Sequence, residues 1–437
     1  MRLPEPVLRC IRMLADAGFP AYAVGGCVRD SLLGLTPHDY DLCTCAKPEQ
    51  IAGVFREFTL VRSGEKHGTI GVVMDGEVYE ITTFRTEGGY DDSRHPGWVH
   101  FVPNLEEDLK RRDFTVNAMA YHPEQGYIDP WGGQADLKNK VLRAVGDPTT
   151  RFTEDALRIL RGVRFSVRYG LIPEENTMDA MVTLAPRLAY LARERVFEEL
   201  CKLLPLVNTQ DLLLFAPILT QAIPELQKLV GFDQHNPHHL YDIYGHTVRV
   251  VDGVPPVLPL RLAALLHDIG KPDTFTLDEN GAGHFYGHAE VSAKLADNIL
   301  RTLRAPTHLR EQVVFLVEQH MSHFVADKKV LRRRLGKHGE ENTHMLMELQ
   351  QADLVGTGTA DDLSHYEEIR QLFREIAQEA SCLSIRDLTV DGKDLLALGF
   401  APGPGLGAVL SCLLEQVQDE ILPNEKEALL AFAKTKL

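Results

Sequence analysis

Apolar and polar positions follow two different rhythms along this chain. Between residue 20 and about residue 142, short strand-like runs are separated by turns, namely AYAVGG, TIGVVM, EVYEITTF and VHFV, and helical segments at 48–57 and 105–119 interleave with them. From about residue 152 onward, apolar residues recur at i, i+3 and i+4, as in TEDALRILRGVRFSVRY and LRLAALLHDIG. The pattern predicts an α+β fold, a small mixed head of sheet and helices followed by an all-helical remainder.

Length and composition narrow the class of protein. A chain of 437 residues allows about three domains at roughly 150 residues each. No stretch reaches the ~18 apolar residues of a membrane helix, and the first residues alternate charged and apolar positions unlike a signal peptide. Seven cysteines without a CxxC pair favour a reducing compartment. We therefore expect a cytoplasmic protein without a membrane anchor.

The net charge of −16 argues against a protein that coats nucleic acid through bulk electrostatics, and no DNA partner is expected. Local basic stretches remain, because 138–170 holds eight lysines and arginines against three acidic residues, and 328–334 holds five basic residues. Taken alone, each stretch is more typical of a solvated face than of a nucleic-acid site.

Paired glycines and paired aspartates lie close together in the predicted head. Gly25 and Gly26 follow an apolar run and precede Arg29, and glycines at such a junction let the backbone approach phosphate oxygens. Asp39 and Asp41 then lie two positions apart, so on a strand their carboxylates point to the same face. Two adjacent negative charges favour a hard divalent cation such as Mg²⁺, which phosphoryl transfer also requires.

The segment GGCVRDSLLGLTPHDYDLCT resembles the signature of the DNA polymerase beta-type nucleotidyltransferases, and within them the class II tRNA nucleotidyltransferase/poly(A) polymerase group. The resemblance continues through EITTFR, RRDFTVNAMA, EDALRILRGVRF, RERVFEEL and LTVDGKDLLALGFAPGPGLG, and so covers nearly the whole chain. It implies a polymerase beta-like head on an elongated helical body, and addition of C, C and A to the 3′ end of tRNA from CTP and ATP.

The resemblance also implies roles for the head residues. Asp39 and Asp41 would hold two Mg²⁺ ions, one at the RNA 3′-hydroxyl and one on the triphosphate. Gly26 and Arg29 would contact the triphosphate. Glu80, in a strand-like run, is a weaker candidate for a third carboxylate, since a lone strand glutamate more often faces solvent.

A second motif resembles the family's ribose-recognition sequence, with Arg112, Asp113 and Asn117 as candidate nucleotide-binding residues. An aspartate or asparagine can bond a 2′-hydroxyl and an arginine can reach phosphate. Asn117 follows Asp113 by four residues, which predicts one helical turn between them.

Base choice is predicted to reside in a helix that opens with the EDxxR motif. Asp155 can only accept and Arg158 can only donate hydrogen bonds, and the spacing predicts that they lie side by side. Cytosine and adenine both present an amino donor beside a ring-nitrogen acceptor, whereas uracil and guanine present the reverse. One such pair therefore accepts C and A and leaves polar groups unpaired with U and G. The resemblance gives this helix the same role; its further candidates are Glu154, Arg161 and Arg164.

A glycine-rich polar segment, 85–96, reads as a mobile loop. It resembles the flexible loop of CCA-adding and A-adding members, which CC-only members lack. The presence of this segment argues against an enzyme that adds only C.

Histidines and aspartates in the helical remainder occur in the order of the HD metal-dependent phosphohydrolases. The resemblance implies the ligands His246, His267, Asp268 and Asp353, with His288 and His320 able to hold a second metal. Imidazole with carboxylate suits Mn²⁺, Ni²⁺, Fe²⁺ or Zn²⁺ better than Mg²⁺. A metal-bound hydroxide could then cleave phosphoesters.

The sequence thus predicts four parts: a nucleotidyltransferase head at 1–142, a helical neck at 143–230, an HD domain at 231–380 and a tRNA-binding tail at 381–437. Poly(A) polymerase and A-only addition remain alternatives to CCA synthesis and repair. Two alternatives belong to a different class of function. The chain could be a non-catalytic regulator that binds RNA or nucleotides, or it could act mainly as an HD phosphohydrolase. A pseudo-enzyme should have lost the paired aspartates or Arg158, and all are present.

Overall fold

The structure is a computed structural model that describes residues 1–88, 98–236, 239–359, 362–379 and 382–436. The chain forms two compact units, Met1–Pro224 and Glu225–Leu437. The predicted α+β fold is confirmed, with a mixed sheet confined to the first unit and helices dominating the remainder. The four-part division stays a prediction, because the two units do not separate a head from a neck or a body from a tail.

The first unit is built around a seven-stranded sheet in the order β3-β4-β5-β2-β1-β8-β9. Its strands are β1 Ala21–Val24, β2 Asp41–Thr44, β3 Leu60–Val61, β4 Thr69–Met74, β5 Glu77–Thr83, β8 Ala120–His122 and β9 Gly126–Ile128. Only β2 and β5 pair in parallel; the other neighbours are antiparallel. Two small ladders complete the unit, β6 Arg85–Gly88 with β7 Trp98–Phe101, and β10 Val141–Leu142 with β11 Ile172–Pro173.

Helices cover this sheet and continue past it. They are α1 Glu5–Asp16, α2 Gly26–Leu32, α3 Pro48–Val54, α4 Leu105–Lys110, α5 Gly133–Lys138, α6 Pro148–Glu154, α7 Leu157–Tyr169, α8 Glu175–Leu184, α9 Arg193–Leu203, α10 Thr209–Leu214 and α11 Ala216–Ala222. Alternate residues of β1 enter different apolar clusters: Ala21 and Ala23 join one, while Tyr22 and Val24 join the other. Both faces of the sheet are therefore buried at β1, so this strand lies within the apolar core of the unit.

The second unit is helical apart from a short ladder of β12 Thr276–Leu277 and β13 Gly283–His284. Its helices are α12 Ile243–Gly253, α13 Leu258–Leu266, α14 Lys271–Thr274, α15 His288–Thr302, α16 Thr307–Gln319, α17 Lys328–His338, α18 Glu340–Gly356, α19 Ser364–Gln378, α20 Gly392–Leu398, α21 Pro404–Gln418 and α22 Lys426–Lys434. No helix within the described ranges is both long and apolar enough to cross a membrane.

Two predicted helices are interrupted in the structure. The helix expected over 105–119 ends at Lys110, because Phe114 bridges Ala144 and the Thr115 amide donates to the Arg143 carbonyl. The helix expected from residue 152 breaks at Asp155, whose backbone is extended (φ −143°, ψ 103°) and whose carboxylate accepts from the Leu157 amide. In both places the local sequence favours a helix, but a hydrogen bond that does not belong to the helix interrupts it.

Candidate functional site

A cavity of about 460 Å³ lies inside the first unit, between the glycine turn after β1 and the start of α7. Its lining residues come from five separate stretches: Gly25, Gly26, Arg29, Asp41, Arg111, Arg112, Asp113, Asn117, Asp155, Leu157, Arg158, Arg161, Phe165 and Arg195. The cavity therefore unites residues from three predicted motifs.

The glycine turn is required by close packing. Gly25 has φ +72°, a region that favours glycine, and a Cβ there would lie 2.7 Å from the Arg112 guanidinium. The Gly25 amide donates to the Met119 carbonyl, which ties the turn to β8. A side chain at position 25 would therefore displace an arginine that lines the cavity.

Arg29 is 6% exposed and held from several sides. Its Nε donates to Asp30 at 2.9 Å, its Nη1 to the Asn117 amide oxygen, and its Nη2 to the Tyr169 hydroxyl at 2.5 Å. The guanidinium also lies against the rings of Phe165 and Tyr169, 5.3 and 4.2 Å from their centroids. A cation held in this way presents fixed positive charge to an anion in the cavity.

Asp41 opens β2, and Asp39 precedes that strand rather than lying within it. The register pairs Leu42 with Ile81, so Glu80 of the neighbouring strand lies beside Asp41. The pKa of Asp41 is raised by desolvation of its carboxylate and by the charges of Glu80 and Asp39, against the opposing effect of Arg112, although the residue as a whole is exposed. The charges of two neighbouring carboxylates thus act on Asp41, which suits a divalent cation.

Asp113 joins the second motif to α7. Its carboxylate accepts from Asn117 at 3.0 Å, from the Phe114 amide at 2.8 Å and from Arg161 at 2.8 Å. Burial would raise its pKa, but Arg161 and Asn117 lower the pKa to about 2. Asp113 and Asn117 do meet, but through an extended Phe114 followed by a 3-10 turn, Thr115–Asn117, instead of the predicted α-helical turn.

Asp155 and Arg158, which were predicted to lie side by side, both line the cavity. Asp155 binds Arg195 through both oxygens, at 2.8 and 3.3 Å. Arg158 donates to Glu154 at 2.8 Å and to the Arg111 carbonyl at 3.0 Å. Each side chain therefore reaches the cavity with a partner of its own.

Arg164 does not line this cavity. It is 7% exposed and donates to Glu199 at 2.6 Å, so its charge is neutralised inside the helical part of the unit. The prediction that it contacts phosphate or base finds no support in its position.

A second cavity, of about 660 Å³, lies inside the second unit. Two groups of side chains that could hold a metal meet at its floor, and Asp268 belongs to both. One contains His246, His267, Asp268 and Asp353; the other contains Asp268, His288 and His320. In each group the ligand atoms lie within 4.8 Å of one another. Within the described ranges, no other group of three or more such side chains is as compact. The carboxylates at the first cavity are therefore further apart from one another.

Backbone carbonyls aim the imidazoles of the second cavity. The Nδ1 atoms of His267, His288 and His320 bond the carbonyls three residues earlier in the chain, at 2.6–2.8 Å. Their Nε2 atoms therefore face inward, as in metal-ligating histidines. Burial, together with the charge of His267, lowers the pKa of His320 to about 4.

Asp268 also bonds the buried Lys271 at 2.7 Å, and Lys271 reaches Gln234 at 3.0 Å. Although burial opposes it, the charges of His267 and Lys271 hold the pKa of Asp268 well below its usual range. Because Asp268 belongs to both ligand groups, its ionised carboxylate could hold a cation in either of them.

Comparisons with known proteins agree with the nucleotidyltransferase motifs whose residues line the first cavity. Residues 21–143 match the Poly A polymerase head domain, 170–228 a probable RNA and SrmB-binding site of polymerase A, and 283–433 a putative tRNA nucleotidyltransferase domain 2. The CCA-adding enzyme of Latilactobacillus sakei is 34% identical over 98% of this chain and 97% of its own length. That of Levilactobacillus brevis is 35% identical over 98% and 96%.

The chain belongs to the CCA-adding enzyme family. A solved CCA-adding enzyme from Bacillus stearothermophilus, in complex with CTP, superimposes with a TM-score of 0.71 at 28% identity, covering 99% of this chain and 98% of the other. A Thermotoga maritima CCA-adding enzyme complexed with tRNA shares the fold, with a TM-score of 0.64 at 21% identity over 100% and 96%. The resemblance to the class II tRNA nucleotidyltransferase group is therefore confirmed, whereas the resemblance to the HD phosphohydrolases stays a prediction.

Several residues of this family member's cavity escaped the sequence patterns. Arg195 lies in α9, within the RERVFEEL segment, and only its contact with Asp155 reveals it. Behind the cavity lining, the fully buried Asp108 accepts a hydrogen bond from Arg111 at 3.0 Å and one from the Arg85 amide at 3.2 Å. The predicted mobile loop, 85–96, begins with β6, and its residues 89–96 lie outside the described part.

Proposed function

We propose that this chain adds C, C and A to the 3′ end of tRNA from CTP and ATP, releasing diphosphate, in the synthesis and repair of tRNA in the cytoplasm. One observation carries the proposal: a single cavity presents Asp41, Arg29 and the Asp155–Arg158 set together. Catalytic carboxylate, phosphate-binding cation and base-reading groups are what addition of a chosen nucleotide without a template needs.

Base choice follows from the hydrogen bonds that these side chains still have to offer. Arg195 keeps the Asp155 carboxylate in place as an acceptor for the amino group of cytosine or adenine. Glu154 and the Arg111 carbonyl fix the Arg158 guanidinium, which donates to the ring nitrogen beside that amino group. U and G offer the reverse edge and leave both protein groups unpaired.

Chemistry then requires the RNA 3′-oxygen to bond the α-phosphorus as the bond to diphosphate breaks. Arg29 and the backbone at Gly26 bind the triphosphate, and Arg112 adds positive charge beside Asp41. Asp39 and Asp41, with Glu80 nearby, would hold Mg²⁺, and their mutual repulsion in the structure fits such a cation. When bound, Mg²⁺ neutralises developing phosphate charge and activates the attacking hydroxyl.

The deciding experiment incubates the protein with tRNAs ending in N, NC and NCC and each of the four nucleoside triphosphates separately. CCA addition requires C on the first two substrates and A on the third. Repeated A addition to unstructured RNA would instead indicate poly(A) polymerase, and A on the third substrate alone would indicate an A-adding enzyme. Full-length similarity to CCA-adding enzymes supports the first outcome.

The second cavity supports a second function, a metal-dependent phosphohydrolase with Mn²⁺ or Ni²⁺ as cofactor. Six histidine and aspartate side chains in two groups sharing Asp268 favour it. The test supplies Mn²⁺ or Ni²⁺ and follows cleavage of phosphomonoesters and 2′,3′-cyclic nucleotides. Absence of cleavage with the metal bound would make this domain structural.

A further inference from the structure

The C-terminal half of α7 contacts Arg29, the arginine that we assign to triphosphate binding. Phe165 and Tyr169 both lie against the Arg29 guanidinium, and the Tyr169 hydroxyl accepts a hydrogen bond from it at 2.5 Å. Tyr169 is the last residue of α7 and is half-buried. Arg29 is thus gripped by a helix whose first turn lies in the base-reading part of the cavity.

Helical spacing explains why one helix can serve both ends of the nucleotide. Arg158, Arg161, Phe165 and Tyr169 recur at steps of three or four residues, so they share one face of α7. The first three line the cavity, while Tyr169 meets Arg29 at the far end of that face. A shift of α7 along its axis would therefore move both the base-reading groups and the support of Arg29.

We propose that Tyr169 is a positioning residue that holds Arg29 for the triphosphate of the incoming nucleotide. The inference rests on the proposed role of Arg29 in triphosphate binding. Asp30 and Asn117 fix two sides of the guanidinium, and Tyr169 supplies both a hydroxyl acceptor and a ring face on a third. An arginine with one side unsupported populates other rotamers, and ordering it on binding weakens the grip on phosphate.

The test replaces Tyr169 by phenylalanine, which keeps the ring and removes only the hydroxyl. Steady-state addition of C to tRNA ending in N and of A to tRNA ending in NCC gives KM and kcat for each nucleotide. Loss of a hydrogen bond to a charged group should raise KM for CTP and ATP alike by about three- to tenfold, with kcat within about twofold. Tyr190→Phe is the matched control, because Tyr190 is 80% exposed and lies outside the cavity lining.

A double-mutant cycle separates this role from general packing. If Tyr169 acts through Arg29, adding Tyr169→Phe to Arg29→Ala should leave KM unchanged. Inhibition by inorganic diphosphate, which has no base, should weaken by the same factor as KM rises in Tyr169→Phe alone. A misfolded fraction would lower kcat and the melting temperature but leave KM and diphosphate inhibition unaltered.

Four results would overturn the proposal. An unchanged KM in Tyr169→Phe would mean that the hydroxyl does not support Arg29, and additive effects in the cycle would mean that Tyr169 acts elsewhere. Loss of C-over-U preference would place its action on base reading instead. If Arg29→Ala itself leaves KM unchanged, the assignment of Arg29 to the triphosphate fails, and the role of Tyr169 fails with it.

Discussion

The two cavities of this protein gather charge in opposite ways. In the first unit, Asp39 and Asp41 are exposed at a strand start, and the surrounding arginines are each held by a carboxylate or carbonyl. In the second unit, five of the six candidate ligands are buried, and carbonyls orient three of the imidazoles. The first arrangement suits a cation that keeps water and arrives with phosphate, and the second suits a resident transition metal.

The largest expected effect concerns the open carboxylates. Asp39→Ala combined with Asp41→Ala should reduce addition of both C and A by ~10³-fold or more, because it removes the groups assigned to the metals. Single-nucleotide extension measures it, with exposed Asp16→Ala as the control. Substantial incorporation by the double variant would remove the metal assignment from the first cavity.

Mutation of the histidine and aspartate cluster in the second cavity should weaken metal binding there without affecting the first cavity. His267→Ala with Asp268→Ala should weaken Mn²⁺ or Ni²⁺ binding by at least about 100-fold, since losing supporting groups alone costs that much. Calorimetric titration measures the binding, and hydrolysis of phosphoesters should disappear with it. Nucleotide addition should stay within about twofold, because the two ligand sets share no residue. A collapse of CCA addition in this variant would show that the cavities are not separable.

Base selection should respond to changes that leave the carboxylates intact. Asp155→Ala or Arg158→Ala should lower the preference for C over U by roughly 5- to 150-fold, as for loss of one bidentate base contact. Single-nucleotide extension of tRNA ending in N and NCC with all four nucleotides measures it. Unchanged selectivity at a reduced rate would mean that bases are read elsewhere.

Arg195 sharpens the same comparison. Because it holds the Asp155 carboxylate, Arg195→Ala should reproduce part of the selectivity loss, by about three- to tenfold. Arg193→Ala, on the same helix and outside the cavity lining, is the matched control. Equal selectivity in both variants would show that Asp155 needs no support.

Sequence patterns predicted the family and the α+β fold, and contiguous motifs, which carry their own chemistry, supplied many of the candidate residues that meet in each cavity. The runs AYAVGG, TIGVVM, EVYEITTF and VHFV correspond to β1, β4, β5 and β7, whereas β3, β8 and β9 were not predicted. Contacts between distant segments were not predictable: Asp155 with Arg195 spans 40 residues and Arg29 with Tyr169 spans 140. The break before α7 also escaped, because helical spacing continues across it while one side-chain bond at Asp155 interrupts the ladder.

Arg164 gives the smallest expected effect on nucleotide addition and the clearest contrast within one helix. It follows Arg161 by three residues, yet Arg161 faces the cavity and Arg164 pairs with buried Glu199. Arg164→Ala would leave Glu199 buried without its partner, which should lower the free energy of unfolding by about 3–5 kcal/mol. Selectivity and KM should change by no more than about twofold, because the cavity lining is untouched. Denaturant unfolding and single-nucleotide addition on the same preparation measure both quantities, and replacing Arg164 and Glu199 together by Met and Leu should recover stability. A selectivity loss without a stability loss would return Arg164 to the base-reading set that its spacing first suggested.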